Sequence, residues 1–151
     1  MTRAVVGSLC RILGAGAVAA AGGLHLQLWA TGYSAVSVIG PLFLLDGIAS
    51  SLVALALLVS RHPLVAVAGA ALELGAIAGL ALASTTGLFG FHQAGAGVGG
   101  DILAAYGTEG FAAVMLAASI GLGWARRPLL PLRRRGGEPS ISSGGRSPGL
   151  G

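Results

Sequence analysis

The chain has no lysine, a single cysteine and few charged residues, and each of these shortages argues against a class of protein. Charged residues make up 9% of the sequence and hydrophobic ones 54%, whereas soluble domains carry about a quarter charged residues. This composition argues against a water-soluble fold. With Cys10 alone, the sequence has no internal disulfide, no Cys-x-x-Cys redox pair and no thiolate metal site.

Catalytic motifs are also missing. The sequence contains no Gly-x-Ser-x-Gly, no His-Glu-x-x-His and no glycine-rich phosphate-binding loop in a suitable context. We therefore predict neither enzymatic activity nor a cofactor. The net charge of +4 would favour nucleic acid in a soluble protein. However, six of the nine arginines lie at or after Arg126, which favours a membrane surface over nucleic acid as the partner.

Four apolar runs have the length of about 20 residues that crosses the roughly 30 Å hydrocarbon layer of a membrane. We predict transmembrane helices over residues 12–29, 41–59, 64–83 and 102–124, with a glycine-rich exterior loop over 84–101. The predicted fold is an all-α, up-down four-helix bundle over residues 1–125, packed through glycine and alanine. As an alternative, residues 1–22 resemble a signal peptide, whose cleavage would leave three spans.

All nine arginines fall on one side of the four-span arrangement: Arg3, Arg11, Arg61 and the six after the last helix. Because basic residues in short flanking segments are retained in the cytoplasm, we predict a multi-pass protein of the cell membrane with both termini inside. Residues 126–151 are predicted to form a disordered tail rich in arginine, glycine, proline and serine. A basic cluster begins it: Arg126, Arg127, Arg133, Arg134 and Arg135.

The arginines of this basic cluster either only fix the topology or also bind anionic lipid, at about 1 kcal/mol each.

The apolar spans contain four polar candidates for proton or ligand binding: His25, Asp46, Glu73 and Glu109. Such residues cost about 2.5–3.5 kcal/mol each in a membrane and normally face the protein interior. Their helical neighbours are mostly small, and the rise of 1.5 Å per residue places three of them at similar depth. We therefore predict that three or four of them meet in the outer half of the bundle.

Three carboxyl groups accompany one imidazole, and no arginine lies at that depth. The acids therefore either hydrogen-bond across helices in protonated form, bind protons or a cation, or line a ligand pocket. An exterior metal site of His25, His92, Asp101 and Glu109 lacks a recognised spacing, and we predict no metal. A separate Gly75-x-x-x-Gly79 motif would serve packing within the bundle or a dimer contact.

The segment Leu24-His25-Leu26, followed by Ile-Gly-Pro-Leu-Phe-Leu-Leu at 39–45, resembles uncharacterised small four-span membrane proteins of actinobacteria. The resemblance covers about forty residues. It implies a four-helix membrane fold but no activity. The first functional hypothesis is thus a non-enzymatic structural role, or an interaction with other membrane proteins or further copies of this chain. The alternative is a small proton- or cation-coupled transporter that uses the buried carboxyl groups.

Overall fold

The computed structural model describes residues 2–92 and 100–124, and this part of the chain is almost entirely helical. Four long helices are α1 (Arg3–Thr31), α2 (Ile39–Val59), α3 (Pro63–Thr85) and α4 (Gly100–Trp124), with a short 3₁₀ turn at Tyr33–Ala35. Each long helix contains a segment apolar enough to cross a membrane. The predicted all-α class with four such helices is therefore confirmed. The predicted basic cluster and tail, residues 126–151, lie outside the described residues.

Helix α1 begins at Arg3 rather than at residue 12, so Arg11 lies within the helix. The Arg11 Nε donates a hydrogen bond of 2.9 Å to the carbonyl oxygen of Leu57, and its guanidinium also donates to the carbonyl oxygen of Ser60. Carbonyls at the end of a helix have no partner within it and carry partial negative charge. Arg11 is accommodated because it satisfies the last turn of α2.

The other helices extend slightly beyond their predicted bounds. Helix α2 starts at Ile39, so Pro41 lies in the first turn, where no helical hydrogen bond is lost. Helix α3 starts at Pro63, and the Nδ1 of His62 accepts a hydrogen bond of 3.3 Å from the backbone N–H of Leu64. Contacts of this kind cap a helix and fix the residue at which it begins, which hydropathy alone does not resolve.

The four helices form a ring in chain order. Helix α1 packs along both α2 and α4, and α3 packs along α4, whereas α2 and α3 share a much shorter contact. One end of the bundle, here called the arginine end, holds Arg3, Arg11 and Arg61. The opposite end holds the 3₁₀ turn and the residues that follow α3. The limited contact between α2 and α3 leaves space between these two helices.

A tightly packed region lies toward the arginine end, around Leu116 of α4. This side chain is fully buried, and its methyl groups rest where glycines of two other helices leave room. A Cβ added to Gly14 would lie 2.8 Å from one Leu116 methyl carbon, and a Cβ added to Gly69 would lie 2.9 Å from the other. Glycine and alanine therefore bring α1, α3 and α4 together. The core cluster comprises Ala15, Val18, Ala54, Leu57, Ala66, Ala112 and Leu116.

The outer surface of the helices is strongly apolar. Leu45 and Leu52 of α2 are each 63% exposed, and Leu64 of α3 is 67% exposed. In water, so continuous an apolar surface would be unstable, whereas lipid solvates it. Helices also satisfy their own backbone hydrogen bonds, as the hydrocarbon layer requires. The fold is thus that of a multi-pass membrane protein.

Candidate functional site

The polar site is built at a close crossing of α1 and α2. A Cβ on Gly22 would lie 2.8 Å from the Cβ of Ser50 and 3.1 Å from the carbonyl oxygen of Gly47. The two backbones can approach this closely only because both crossing residues are glycines. Gly22 lies one helical turn before His25, and Gly47 directly follows Asp46. The crossing therefore brings the imidazole and the carboxyl group together.

His25 stands between two carboxyl groups from different helices. Its Nδ1 lies 3.0 Å from Asp46 Oδ2 on α2 and 3.0 Å from the carbonyl oxygen of Ala21 in its own helix. Its Nε2 lies 3.6 Å from Glu109 Oε1 on α4, a separation that allows electrostatic attraction but exceeds a direct hydrogen bond. The imidazole thus connects α2 to α4 across α1, with Asp46 on one ring nitrogen and Glu109 on the other.

The two glutamates are the most deeply buried of the four polar residues. Glu73 and Glu109 are each 1% exposed. Neither carboxyl oxygen of Glu73 has a hydrogen-bond partner within residues 2–92 and 100–124, and the same holds for Oε2 of Glu109. Glu73 also lies within electrostatic reach of Glu109 and Asp46. The four residues predicted to meet therefore share the bundle interior, with direct contacts among three of them and Glu73 nearby.

Carboxyl groups outnumber basic groups among the polar residues of this interior. Asp46 and Glu109 contact the imidazole of His25, Glu73 lies within electrostatic reach of both acids, and Arg11 is engaged at the other end of α2. Buried charges without partners carry a desolvation cost of several kcal/mol each. The cluster therefore has the composition to hold protons or a cation in place of a complete set of ion pairs.

An aromatic series continues from His25 toward the opposite end of the bundle. The rings of His25 and Phe43 lie 5.1 Å apart, Phe43 stacks on Tyr33 at 4.8 Å and 14°, and Phe91 meets Tyr33 edge-on at 5.9 Å. Sequence reasoning did not select these three aromatic residues as site residues. Helical spacing could have indicated Phe43, since it lies three residues before Asp46 and shares its helix face. It could not have indicated Tyr33 and Phe91, since both lie outside the long helices.

Phe91 is positioned by a tight turn after α3. Leu88 and Phe91 exchange backbone hydrogen bonds of 2.8 and 2.9 Å. The two residues between them, Phe89 and Gly90, have positive φ values of 51° and 78°. This left-handed conformation is natural for glycine but costs free energy for a bulky residue such as Phe89. The turn therefore holds Phe91 against Tyr33 at some cost in backbone strain.

A cavity of about 600 Å³ adjoins the cluster. It occupies the space between α2 and α3, and its volume is that of sites for small organic molecules. His25, Asp46 and Glu109 supply its charged groups, Tyr33, Phe43 and Phe91 line it as well, and most of the remaining wall is aliphatic. The carboxyl oxygen of Glu109 that has no partner among the described residues belongs to a buried side chain at the edge of this cavity.

The Gly75-x-x-x-Gly79 motif forms part of this wall. A Cβ added to Gly75 would meet no atom within 4 Å, and one on Gly79 would meet only a methyl group of Leu88 at 4.0 Å. The predicted use of the motif in packing within the bundle is therefore wrong. Small residues here leave the cavity open instead, because no helix of the described chain approaches that face of α3.

Of the four residues of the exterior metal site considered from the sequence, His25 and Glu109 lie close together. Within residues 2–92 and 100–124, no group of three or more histidine, cysteine, aspartate or glutamate residues is arranged to hold a metal ion. The ring of His92 packs over Gly87 in the turn after α3, and the side chain of Asp101 lies outside the described part. Comparison with known proteins adds no assignment, since no protein-family model, curated protein or solved structure matches the chain.

Proposed function

We propose that the chain is a non-enzymatic, multi-pass protein of the cell membrane with both termini in the cytoplasm. The one-sided distribution of its nine arginines supports this orientation. A reporter enzyme that is active only outside the cytoplasm should be inactive when fused after residue 151 and active when inserted at 95–97. The reverse pattern would contradict the orientation.

Within that topology, we propose a proton-coupled carrier of a small solute, the second of the two hypotheses from the sequence. The observation that carries it is the placement of His25 between Asp46 and Glu109 beside an open cavity. A purely structural role accounts for helix packing, but it does not account for the buried oxygens of Glu73 and Glu109 that have no partner among the four helices and the described turns. Buried polar groups of this kind in membrane helices commonly serve proton or ion pathways.

The imidazole provides the chemistry of proton passage. One ring nitrogen accepts a proton while the other releases one, so the ring moves a proton between carboxyl groups that never touch. In this site Asp46 exchanges with Nδ1, and Glu109 exchanges with Nε2 after closing the 3.6 Å separation. Glu73, deeper in the interior, is a further proton acceptor. When a proton leaves the cluster, the remaining negative charge is available to attract a solute.

Infrared titration of the purified protein in lipid tests the relay. We expect a band of protonated carboxyl groups that changes with pH in the wild type. We expect this change to be altered in His25→Gln, because an amide cannot shuttle protons. His92→Gln is the matched control, since His92 is exposed outside the cluster. In vesicles with an imposed pH gradient, His25→Gln should slow proton flux at least ten-fold. A folded His25→Gln with the wild-type titration and flux would overturn the proposal.

Glu73→Met tests whether the buried acid is kept at a cost in stability. A buried polar group without a partner costs about 1–3 kcal/mol, and methionine has similar bulk without polar oxygens. We expect this variant to raise the free energy of unfolding by about 1 kcal/mol or more while reducing proton flux. Leu74→Met, on the exposed side of α3, should change neither quantity. A clear loss of stability in Glu73→Met would mean that its carboxyl group has a stabilising partner.

Contact with a second membrane-embedded chain remains a further candidate, favoured by the uncovered face of α3 at Gly75. Small residues allow close approach of another helix, including one from a second copy of this chain. The mass of the purified protein in detergent, measured by light scattering, is expected to correspond to an oligomer in this case. A monomer at all concentrations would remove homo-oligomerisation.

A further inference from the structure

We propose that the cavity between α2 and α3 binds an organic cation with a bulky apolar body, and that this ligand exchanges with protons at Glu109 and Asp46. The inference rests on the proposed carrier function and names its solute class. Its first support is Glu109, whose side chain is 1% exposed, belongs to the cavity lining and keeps one oxygen without a partner among the residues that the structure describes. Such an oxygen is satisfied by a hydrogen-bond donor or a positive charge.

The carboxyl groups of the site favour a positively charged ligand. Asp46 and Glu109 line the cavity together with one imidazole, and Glu73 adds a third carboxyl group in electrostatic reach of both. Tyr33 is the other titratable residue of the lining. An anion would meet repulsion from these carboxylates in a poorly screened interior, whereas a cation replaces the proton that they would otherwise hold.

The mainly apolar wall of the cavity favours a ligand with an apolar body. A hard metal ion such as Ca²⁺ requires about six to eight oxygen ligands, and the cavity offers two carboxyl groups among mainly aliphatic and aromatic side chains. The rings of Tyr33, Phe43 and Phe91 can attract a positive charge through their π faces. An organic cation satisfies both features, because its charge meets the carboxyl groups and its body fills the apolar space.

Competition with protons follows from the same contacts. A proton on Glu109 or on Asp46 removes the charge that attracts the cation. Protonation of these carboxyl groups therefore weakens ligand binding, and a bound ligand disfavours their protonation. Lower pH therefore weakens binding, with His25, Asp46, Glu73, Glu109 and Tyr33 as the groups whose charge enters this balance. Exchange of one positive species for the other is the step that a proton-coupled carrier requires.

The tetraphenylphosphonium cation and the tetraphenylborate anion test the proposal, because they match in size and apolar surface and differ in the sign of charge. Calorimetric titration of the purified full chain in detergent should show that the cation binds at least ten-fold more tightly than the anion. Its affinity should fall as the pH is lowered. Neutral triphenylphosphine oxide should bind more weakly than the cation. Equal binding of cation and anion, or tighter binding of the neutral compound, would overturn the proposal.

Three variants locate the binding site. Glu109→Gln should weaken tetraphenylphosphonium binding at least ten-fold and reduce its pH dependence. Glu138→Gln, which removes a carboxyl group beyond the four helices, should leave the affinity unchanged. Gly75→Leu, which fills space at a wall position without close neighbours, should abolish binding while circular dichroism shows an intact helical fold. If both Glu109→Gln and Gly75→Leu fold and bind like the wild type, the cavity is not the site.

The infrared titration, the proton flux and the binding measurements together distinguish a failure of the ligand assignment from a failure of the carrier proposal. A wild type that shows the His25-dependent infrared titration but binds no tetraphenylphosphonium keeps the proton relay and overturns the solute class. Binding of the cation at one fixed pH without any His25-dependent titration or flux keeps the cavity as a site and overturns the relay.

Discussion

Leu116→Ala is expected to lower the free energy of unfolding by about 2–5 kcal/mol, the range for large-to-small substitutions in a packed core. Leu116 is fully buried, and its two methyl groups fill the spaces beside Gly14 and Gly69. Because those glycines have no side chains, nothing nearby can expand to fill the void. Three helices would lose contacts at once, so little relaxation can offset the loss.

Thermal or denaturant unfolding in mild detergent, followed by circular dichroism, measures this effect. The matched control is Leu103→Ala in the same helix, where the leucine is 56% exposed. We expect the control to change stability by less than about 0.5 kcal/mol, as for surface substitutions in general. Equal losses in the two variants would contradict the assignment of Leu116 to the centre of the packing.

Gly22→Leu is expected to cost about 3 kcal/mol, the upper end for overpacking, and to separate His25 from Asp46. The new side chain would meet the Cβ of Ser50 and the backbone carbonyl oxygen of Gly47. Neither can move without shifting α2, so the helices must move apart. Because the 3.0 Å contact of His25 with Asp46 spans this crossing, the proton relay should fail together with the packing.

Gly23→Leu provides the control, since a Cβ at Gly23 meets no atom within 4 Å. This neighbouring substitution adds the same side chain to the same helix but toward its open side. Unfolding in detergent and the infrared carboxyl titration should both remain close to wild type. If Gly22→Leu retained wild-type stability and titration, α1 and α2 would not be held together by the glycine crossing.

The membrane fold follows from the sequence because it depends on local quantities. Span length, apolar composition and the lack of lysine and glutamate on the outer surfaces are properties of single helices. They predicted four spans and placed each end within a few residues except at α1. That helix starts at Arg3 and includes Arg11, whose guanidinium bonds to the Leu57 and Ser60 carbonyls at the end of α2, a contact between residues far apart in the chain.

The candidate site was only partly accessible from sequence. Helical periodicity and depth led to His25, Asp46, Glu73 and Glu109, because a polar residue in a membrane helix is costly and faces inward. Their roles in proton or ligand binding remain predictions. The aromatic residues Tyr33, Phe43 and Phe91 were missed. Two of them lie outside the long helices, where helical periodicity does not indicate which way a side chain points. Of the two uses predicted for the Gly75 motif, packing within the bundle was wrong, because short small-residue motifs fit both a packed interface and a cavity wall; the dimer contact stays a prediction.

The sequence by itself thus determined that four apolar helices carry three carboxyl groups and one imidazole, because hydropathy and helical period are properties of each helix alone. Only the tertiary structure decided that His25 lies between Asp46 and Glu109, that Glu73 has no hydrogen-bond partner in the described part of the chain, and that α2 and α3 leave a cavity beside them. The physical reason is that helix crossings depend on which small residues of different helices meet, as Gly22 and Gly47 do. No single helix encodes that choice.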